Sequence, residues 1–246
     1  MRYLILSDIH ANWQALEAVL EHAAGTYDSI LCCGDLVGYG ADPNRVIDWS
    51  RENVQGIVRG NHDKGCAGLD DLDWFNNAAR SSARWTQAVL SEANLEYLER
   101  LPQGPLNLDG FSLVHGSPLD EDEYVLSDGD AAGVSGYLEA PLYFFGHTHI
   151  QRGFRLSHPS VWYLGQVGPH EERRWFDLER RYAYLINPGS VGQPRDRDPR
   201  AAYAIYDPES RAVALCRTRY DIPGAQARIL QAGLPAHLAE RLALGA

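Results

Sequence analysis

The sequence of 246 residues lacks long apolar runs and is poor in basic residues. No segment approaches the roughly 20 apolar residues of a transmembrane helix, and Asp8 interrupts the first apolar run, which argues against a signal peptide. The 22 Lys and Arg residues are outnumbered by 33 Asp and Glu, so the net charge of -11 leaves no basic stripe for an extended nucleic-acid or membrane surface. We therefore expect a cytoplasmic protein. Small anions remain compatible with this charge, because local positive charge, including bound metal, overrides the overall balance.

Cysteine is also scarce, and its spacing excludes the usual cysteine motifs. The four residues are Cys32, Cys33, Cys66 and Cys216, without any CxxC spacing. We interpret all four as reduced core residues. A thiolate nucleophile at Cys66, four residues after His62, is an alternative that nothing else in the sequence supports.

The overall composition is that of a globular protein. Hydrophobic residues make up 45% and charged residues 22% of the chain, which contains no internal repeat or low-complexity segment. A chain of this length forms one large α/β domain or two smaller ones. We favour a single domain over residues 1–246.

Three apolar runs near the start of the chain each end in side chains that can bind metals. Helical patterns separate the runs, which predicts parallel strands whose carboxyl ends meet at one edge of a sheet, where α/β proteins bind their ligands. The predicted strands and their polar ends are residues 3–6 with Asp8 and His10, residues 30–33 with Asp35, and residues 57–58 with Asn61, His62 and Asp63.

The spacing of Asp8 and His10 admits two interpretations. In an extended chain, residues two apart share a face, so the carboxylate and the imidazole would hold one divalent cation. The alternative is a loop Asp that caps the next helix beside an exposed His. Asp42 and Pro43 similarly predict a helix start, with Asp42 as the N-cap.

The second half of the chain adds strands and further histidines. Asp109-Gly110 predicts a hairpin whose second strand leads to His115, and a buried strand at residues 142–145 leads to His147 and His149. Residues 72–101 are predicted to be mostly helical with aromatic side chains in the core, although a lid over the site is an alternative. Further strands are predicted at residues 154–156, 161–164, 182–186, 202–206 and 213–217, and helices over residues 222–244.

This ordered set of motifs resembles the calcineurin-like metallophosphoesterase superfamily, in its bacterial phosphodiesterase or diadenosine-tetraphosphatase-like branch. The similarity rests on five blocks and a later Asn-Pro-Gly-Ser. The blocks are Asp8-x-His10, Gly34-Asp35, Gly60-Asn61-His62-Asp63, His115-Gly116 and Gly146-His147-x-His149, with Asn187 to Ser190 following. The resemblance implies an α/β fold, a four-layer sandwich of two mixed β-sheets flanked by helices.

The resemblance also implies a dinuclear site with seven ligands. One metal would be bound by Asp8, His10, Asp35 and His149, and the other by Asp35, Asn61, His115 and His147. Oxygen and nitrogen ligands without thiolate suit Mn, Fe, Zn, Co or Ni. A metal-bridging hydroxide would attack the phosphate ester, with His62 assisting the leaving group and Asp63 orienting the ring of His62.

Local departures from the superfamily bear on the substrate. The loop after Asp35 lacks the phosphate-binding arginine of the protein phosphatases, which argues against a phosphoprotein substrate. Arg195 is a candidate replacement. Arg197 and Arg200 lie close in the sequence, however, and the alternative interpretation of each of the three is a solvated surface charge. Tyr39 and Trp74 are candidates for stacking on a nucleobase, with a structural role preferred.

We expect hydrolysis of a small phosphorylated substrate, with nucleotides among the candidates, by a phosphodiesterase or nucleotide pyrophosphohydrolase. The alternative is a non-catalytic metal-binding scaffold of the same fold that binds a partner protein. The sequence leaves the native metal and the oligomeric state open.

Overall fold

The computed structural model describes residues 1–246 and contains twelve strands and eight α-helices. The strands are β1 (Tyr3–Leu6), β2 (Ser29–Cys32), β3 (Gly56–Ile57), β4 (Leu106–Leu108), β5 (Phe111–Leu113), β6 (Leu142–Phe144), β7 (Arg152–Ser157), β8 (Ser160–Gly165), β9 (Arg173–Asp177), β10 (Ala183–Asn187), β11 (Ala201–Asp207) and β12 (Ala212–Thr218). The helices are α1 (Trp13–Ala23), α2 (Pro43–Asn53), α3 (Asn61–Cys66), α4 (Asn77–Val89), α5 (Glu92–Glu99), α6 (Asp128–Val134), α7 (Ile222–Gln231) and α8 (Ala236–Glu240). Short 3-10 turns occupy Ser135–Tyr137 and Arg241–Ala243.

The strands form two mixed six-stranded sheets. The first sheet has the order β3-β2-β1-β11-β12-β9, and the second has the order β4-β5-β6-β10-β7-β8. In the first sheet β1, β2 and β3 are parallel, while β11, β12 and β9 run antiparallel to their neighbours. In the second sheet β5, β6 and β10 are parallel. The parallel strands of both sheets therefore direct their carboxyl ends to a common edge.

Alternating side chains place each sheet between two apolar layers. Ile5 and Leu31 pack with Phe144 and Ile186 between the two sheets, whereas Leu4 and neighbours on the opposite face pack beneath α1 and α2. The outer face of the second sheet packs against α6. Because successive strand residues face opposite sides, these layers confirm the predicted four-layer sandwich.

Most predicted elements are present, with three corrections. Strand β9 was not predicted, because its sequence is rich in charged residues and lacks an apolar run, as is common for edge strands. Trp74 is 90% exposed and does not belong to the core. Asp42 occupies the N-cap of α2, but its carboxylate makes no capping hydrogen bond and instead pairs with Arg228.

A buried arginine fixes the loop between β10 and β11. The guanidinium of Arg217 is fully buried, pairs with Asp196 and lies 3.7 Å from Asp198 Oδ2. Its Nε also donates to Gln151 Oε1 at 3.3 Å. Because a buried charge without partners is strongly unfavourable, this network holds the loop that carries Arg195 in one conformation.

None of the helices combines the length and the apolar character that crossing a bilayer requires.

Candidate active site

The seven predicted ligand residues lie together where strands of both sheets end. The first sheet contributes Asp8 and His10 after β1, Asp35 after β2 and Asn61 at the start of α3, and the second sheet contributes His115, His147 and His149 after β5 and β6. Six of the seven are buried, and Asn61 is half-buried. The sandwich thus collects the five sequence blocks into one pocket.

Four of these residues form a compact group. One ligand atom each from Asp8, His10, Asp35 and His149 lies within 4.8 Å of the others. His10 Nε2 is 3.1 Å from His149 Nε2 and 3.4 Å from Asp35 Oδ2, and His149 Nε2 is 3.4 Å from Asp8 Oδ1. These distances suit atoms that surround a common cation.

A second group of polar atoms lies on the other side of Asp35. Asn61 Oδ1 is 3.0 Å from His147 Nδ1 and 3.3 Å from His115 Nε2. His115 Nε2 in turn lies 3.5 Å from Asp35 Oδ2. That carboxylate oxygen is buried without a hydrogen-bond partner, whereas Asp35 Oδ1 accepts from the backbone N–H of His62 at 2.9 Å. Asp35 Oδ2 is therefore free to serve both groups.

Backbone carbonyls determine which nitrogen of each histidine faces the site. A carbonyl only accepts hydrogen bonds, so the nitrogen beside it must donate, and the other nitrogen of a neutral ring carries a lone pair. The pairs are His10 Nδ1 with Val37 O at 2.8 Å, His149 Nδ1 with Gln193 O at 2.7 Å, His115 Nδ1 with Cys33 O at 2.7 Å and His147 Nε2 with Asp122 O at 3.1 Å.

This arrangement fits divalent cations. Two neutral imidazoles such as His10 and His149, each already donating to a carbonyl, cannot hydrogen-bond to one another across 3.1 Å. A bound cation that accepts both lone pairs would remove the conflict, and Asp35 Oδ2 would supply the negative oxygen that such a cation needs. None of these supporting carbonyls has a signal in the sequence, because any residue can supply a backbone oxygen.

The backbone at the site departs from the extended form expected between Asp8 and His10. Asp8 has φ 53° and His10 has φ 49°, so both lie in the left-handed region and converge through a tight turn rather than through strand alternation. Asp35, His147 and His149 also have positive φ. Such conformations cost about 1–3 kcal/mol each for non-glycine residues and persist only where the surroundings fix them.

Close backbone approach explains two glycines of the sequence blocks. A Cβ at Gly60 would overlap Asp35 Oδ1, and a Cβ at Gly146 would overlap Ser7 Oγ and crowd the Asp8 carboxylate. Ser7 Oγ donates to Asp8 Oδ2 at 2.6 Å. Glycine is thus required where the loops meet the ligands.

Burial and mutual charge shift the pKa of every ionisable ligand. Burial lowers the pKa of His10 and His149 well below the ordinary value and that of His147 to about 3, so these rings are neutral. Burial opposes protonation of His115 as well, but the Asp35 carboxylate outweighs it and raises the pKa of His115 to about 10. Burial raises the pKa of Asp8 to about 7. The pKa of Asp35 is low because His115 outweighs its burial.

Asp63 has a different role from the one expected. Its carboxylate accepts backbone N–H groups of Asp35 at 2.8 Å, Leu36 at 2.8 Å, Val37 at 3.3 Å and Gly60 at 3.0 Å, and it makes no hydrogen bond to His62. The expectation that Asp63 orients the His62 ring is therefore wrong. Asp63 thereby holds the loop that follows β2 against the start of α3, because one carboxylate binds backbone N–H groups from both segments.

His62 is oriented by aromatic packing. Its ring centroid lies 4.3 Å from Tyr39 and 4.7 Å from Phe75, and its Nδ1 is buried without a partner. Adjacent helical positions explain why Asn61 faces the ligands while His62 faces this aromatic layer. Burial lowers the pKa of His62 to about 4, so the ring is neutral near pH 7.

The loop after β10 hydrogen-bonds to the backbone of two loops of the site and places Arg195 in the wall of its cavity. Asn187 Nδ2 donates to Gly146 O at 2.8 Å, and Ser190 Oγ donates to Asp8 O at 2.8 Å. Arg195 lines a cavity of about 90 Å³ together with Asp35 and His62. Its Nε is buried without a partner, and its guanidinium lies 5.5 Å above the Tyr39 ring.

The neighbouring arginines and Cys66 do not face this cavity. Arg200 is paired with Asp198 and donates to Gly168 O at 2.9 Å, and Arg197 is exposed. Cys66 is fully buried in the core, and burial raises the pKa of its thiol well above the ordinary value. A neutral buried thiol is inert, which removes the thiolate alternative.

Comparison with known proteins identifies the class. Residues 1–211 match the family model of the calcineurin-like phosphoesterase superfamily domain, so the chain belongs to this family. Together with the buried Asp and His cluster, membership establishes a metal-dependent phosphoesterase and confirms the prediction of an enzyme.

Individual relatives match over nearly the whole chain. The uncharacterized protein MJ0912 of Methanocaldococcus jannaschii is 38% identical over 98% of this chain and 97% of its own. A metallophosphoesterase from Sphaerobacter thermophilus has a TM-score of 0.87 and 41% identity, covering 100% of this chain and 99% of that one. A structure provisionally assigned as a diadenosine tetraphosphatase shares the fold alone, with a TM-score of 0.51, 16% identity and coverage of 87% and 93%.

The protonation states predict that metal binding releases protons. Near pH 7 the Asp35 carboxylate keeps His115 protonated, and burial raises the pKa of Asp8 to about 7, so a cation bound by these residues would displace protons. We expect release of roughly one to two protons per chain. Titration calorimetry with Zn²⁺ or Mn²⁺ in buffers of different ionisation enthalpy measures this number. Binding without proton release at pH 7 would contradict the assigned protonation states.

Proposed function

We propose that the whole chain, residues 1–246, is one catalytic unit that hydrolyses small phosphate esters with two bound divalent metals, as a phosphodiesterase or nucleotide pyrophosphohydrolase. The observation that carries the proposal is the free Asp35 Oδ2, 3.4 Å from His10 Nε2 and 3.5 Å from His115 Nε2. A shared carboxylate between two ligand groups is what a pair of cations about 3.5–4 Å apart requires. Nitrogen and oxygen ligands without thiolate favour Mn, Fe, Zn, Co or Ni.

Divalent cations held by these residues would supply Lewis acidity and make hydroxide available near neutral pH. The protein's own residues then bind and orient the ester. Arg195 supports phosphate binding, because its unpartnered Nε and its place in the cavity beside Asp35 leave N–H groups for non-bridging oxygens. Tyr39 and Gln193 hold the guanidinium, with Arg195 donating to Gln193 Oε1 at 3.0 Å.

His62 is proposed to act on the leaving group. As a neutral ring it donates an N–H hydrogen bond to the departing oxygen, and the negative charge of a bound phosphate raises its pKa toward the range of a proton donor. Its contacts with Tyr39 and Phe75 exclude water from the ring.

The substrate is proposed to be small and phosphorylated, with nucleotides included. The cavity that contains Asp35, His62 and Arg195 has a volume of about 90 Å³, which suits a phosphoryl group, and the loop after Asp35 lacks the phosphate-binding arginine of the protein phosphatases. The net charge of -11 likewise disfavours an extended nucleic acid.

The leaving-group role predicts a substrate-dependent loss in the variant His62→Ala. Alkyl phosphodiesters should lose about 10²- to 10⁴-fold in kcat, whereas nitrophenyl esters, whose leaving group is already stable as an anion, should lose less than about tenfold. The metal content should stay unchanged. Steady-state kinetics on both ester classes, with the five candidate metals, provide the measurement.

The exposed His237 on α8 supplies the matched control, and His237→Ala should behave like the parent. Equal losses on both ester classes would assign His62 to substrate positioning instead. Failure of the parent protein to hydrolyse any phosphodiester with any of these metals would contradict the proposed function itself.

A second prediction concerns Arg195→Ala. Removing the guanidinium should raise KM for phosphate esters by about tenfold or more, because charge-assisted hydrogen bonds to phosphate are lost, and should leave the metal content unchanged. The exposed Arg197 is a better control than Arg200, which is bound to Asp198. Unchanged kinetics in Arg195→Ala would return this residue to a purely structural role.

A further inference from the structure

A second cavity adjoins the one that contains Arg195 and His62. It has a volume of about 370 Å³, within the range of sites that bind small organic molecules. The two cavities share five lining residues: Asn61, Trp74, Phe75, Tyr124 and His147. An ester whose phosphoryl group lies in the smaller cavity therefore extends one of its organic groups into the larger one.

Two aromatic rings on the shared wall face solvent. Trp74 is 90% exposed, more than any other large apolar side chain of the protein, and Tyr124 is 49% exposed. The Tyr124 ring is held against His147, with centroids 3.9 Å apart and planes inclined by 35°. Exposed aromatic surface beside a catalytic cavity marks a place where a flat apolar group binds.

The charges of the outer cavity exclude a second phosphate there. Asp70, Asp71 and Asp122 line it, and its sole basic residue is Lys64. Lys64 is the only lysine of the chain, and its Nζ lies 2.7 Å from Asp122 and 3.1 Å from Asp70. No cation is left unpaired, so a phosphate chain would meet only carboxylates, whereas an uncharged group that donates hydrogen bonds would be accepted.

We propose that the outer cavity binds the nucleoside part of a nucleotide ester, with the base stacked on Trp74 and Tyr124. Nucleobases combine a flat ring with exocyclic amino groups, which match the two aromatic side chains and the carboxylates of Asp70 and Asp71. The inference rests on the proposed phosphodiesterase function and narrows its substrate to esters of nucleoside monophosphates, in preference to polyphosphate chains.

The test compares two chromogenic esters that differ only in the base. They are the p-nitrophenyl esters of adenosine 5′-phosphate and of ribose 5′-phosphate. The parent enzyme should have a kcat/KM about tenfold or more higher for the adenosine ester, since stacking of a base on an aromatic side chain typically contributes 1–3 kcal/mol. In Trp74→Ala the ratio should fall close to one while the rate with the ribose ester is retained.

Trp175, 52% exposed on β9, provides the matched control, and Trp175→Ala should keep the parent ratio. An independent readout is adenosine binding to the metal-free protein by calorimetry, which should be about tenfold weaker in Trp74→Ala. A parent enzyme without preference for the base, or a preference that survives in Trp74→Ala, would overturn the inference. Failure to hydrolyse either ester would instead contradict the proposed function, and adenosine binding alone would then decide the inference.

Discussion

The arrangement of the site depends on one buried carboxylate, Asp35, that lies between two groups of candidate nitrogen and oxygen ligands. Its Oδ2 makes no hydrogen bond and lies within 3.5 Å of His10 on one side and His115 on the other. A buried carboxylate surrounded by other electron-pair donors is unfavourable unless a positive charge nearby balances its negative charge. In the protein alone, the protonated ring of His115 provides that compensation, and divalent cations held by the same residues would supply the positive charge in its place.

The rest of the fold maintains this unfavourable arrangement. Two sheets direct five strand ends to one edge, and Asp63 fixes the Asp35 loop by accepting four backbone N–H groups. Four carbonyls set the histidine rings, and glycines at 60 and 146 allow the loops to touch. Preorganisation of this kind offsets the strained backbone at the ligands and keeps them in place before the metal arrives.

Periodic patterns in the sequence predict the strands and the meeting of their polar ends, whereas the four-layer sandwich and the complete set of seven site residues follow from the family resemblance. Buried strands appear as apolar runs, and their parallel order places Asp8, Asp35 and Asn61 at one edge. The features of the site that the sequence does not predict depend on contacts between residues far apart in the chain. The left-handed turn at Asp8 and His10 and the carbonyl partners of the histidines have no pattern in the sequence.

Two residues show why a residue type alone misleads. Asp63 follows His62 directly and was expected to orient it, yet its carboxylate satisfies the donors of a loop 28 residues away in sequence. Trp74 has a large apolar side chain of the kind expected in the core, yet it is exposed to solvent beside the site. Asp63 lies in the first turn of α3 and Trp74 in the turn before α4, and hydrophobic periodicity predicts the side-chain direction of neither residue.

The most direct test of the shared carboxylate is the metal content and turnover of Asp35→Asn, measured beside Asn61→Ala. The amide keeps the size of the side chain but removes the charge that both ligand groups use. We expect Asp35→Asn to bind metal weakly at both positions and to lose phosphodiesterase activity, whereas Asn61→Ala should retain one metal bound by Asp8, His10, Asp35 and His149. Two tightly held metals and normal turnover in Asp35→Asn would contradict the central role of Asp35.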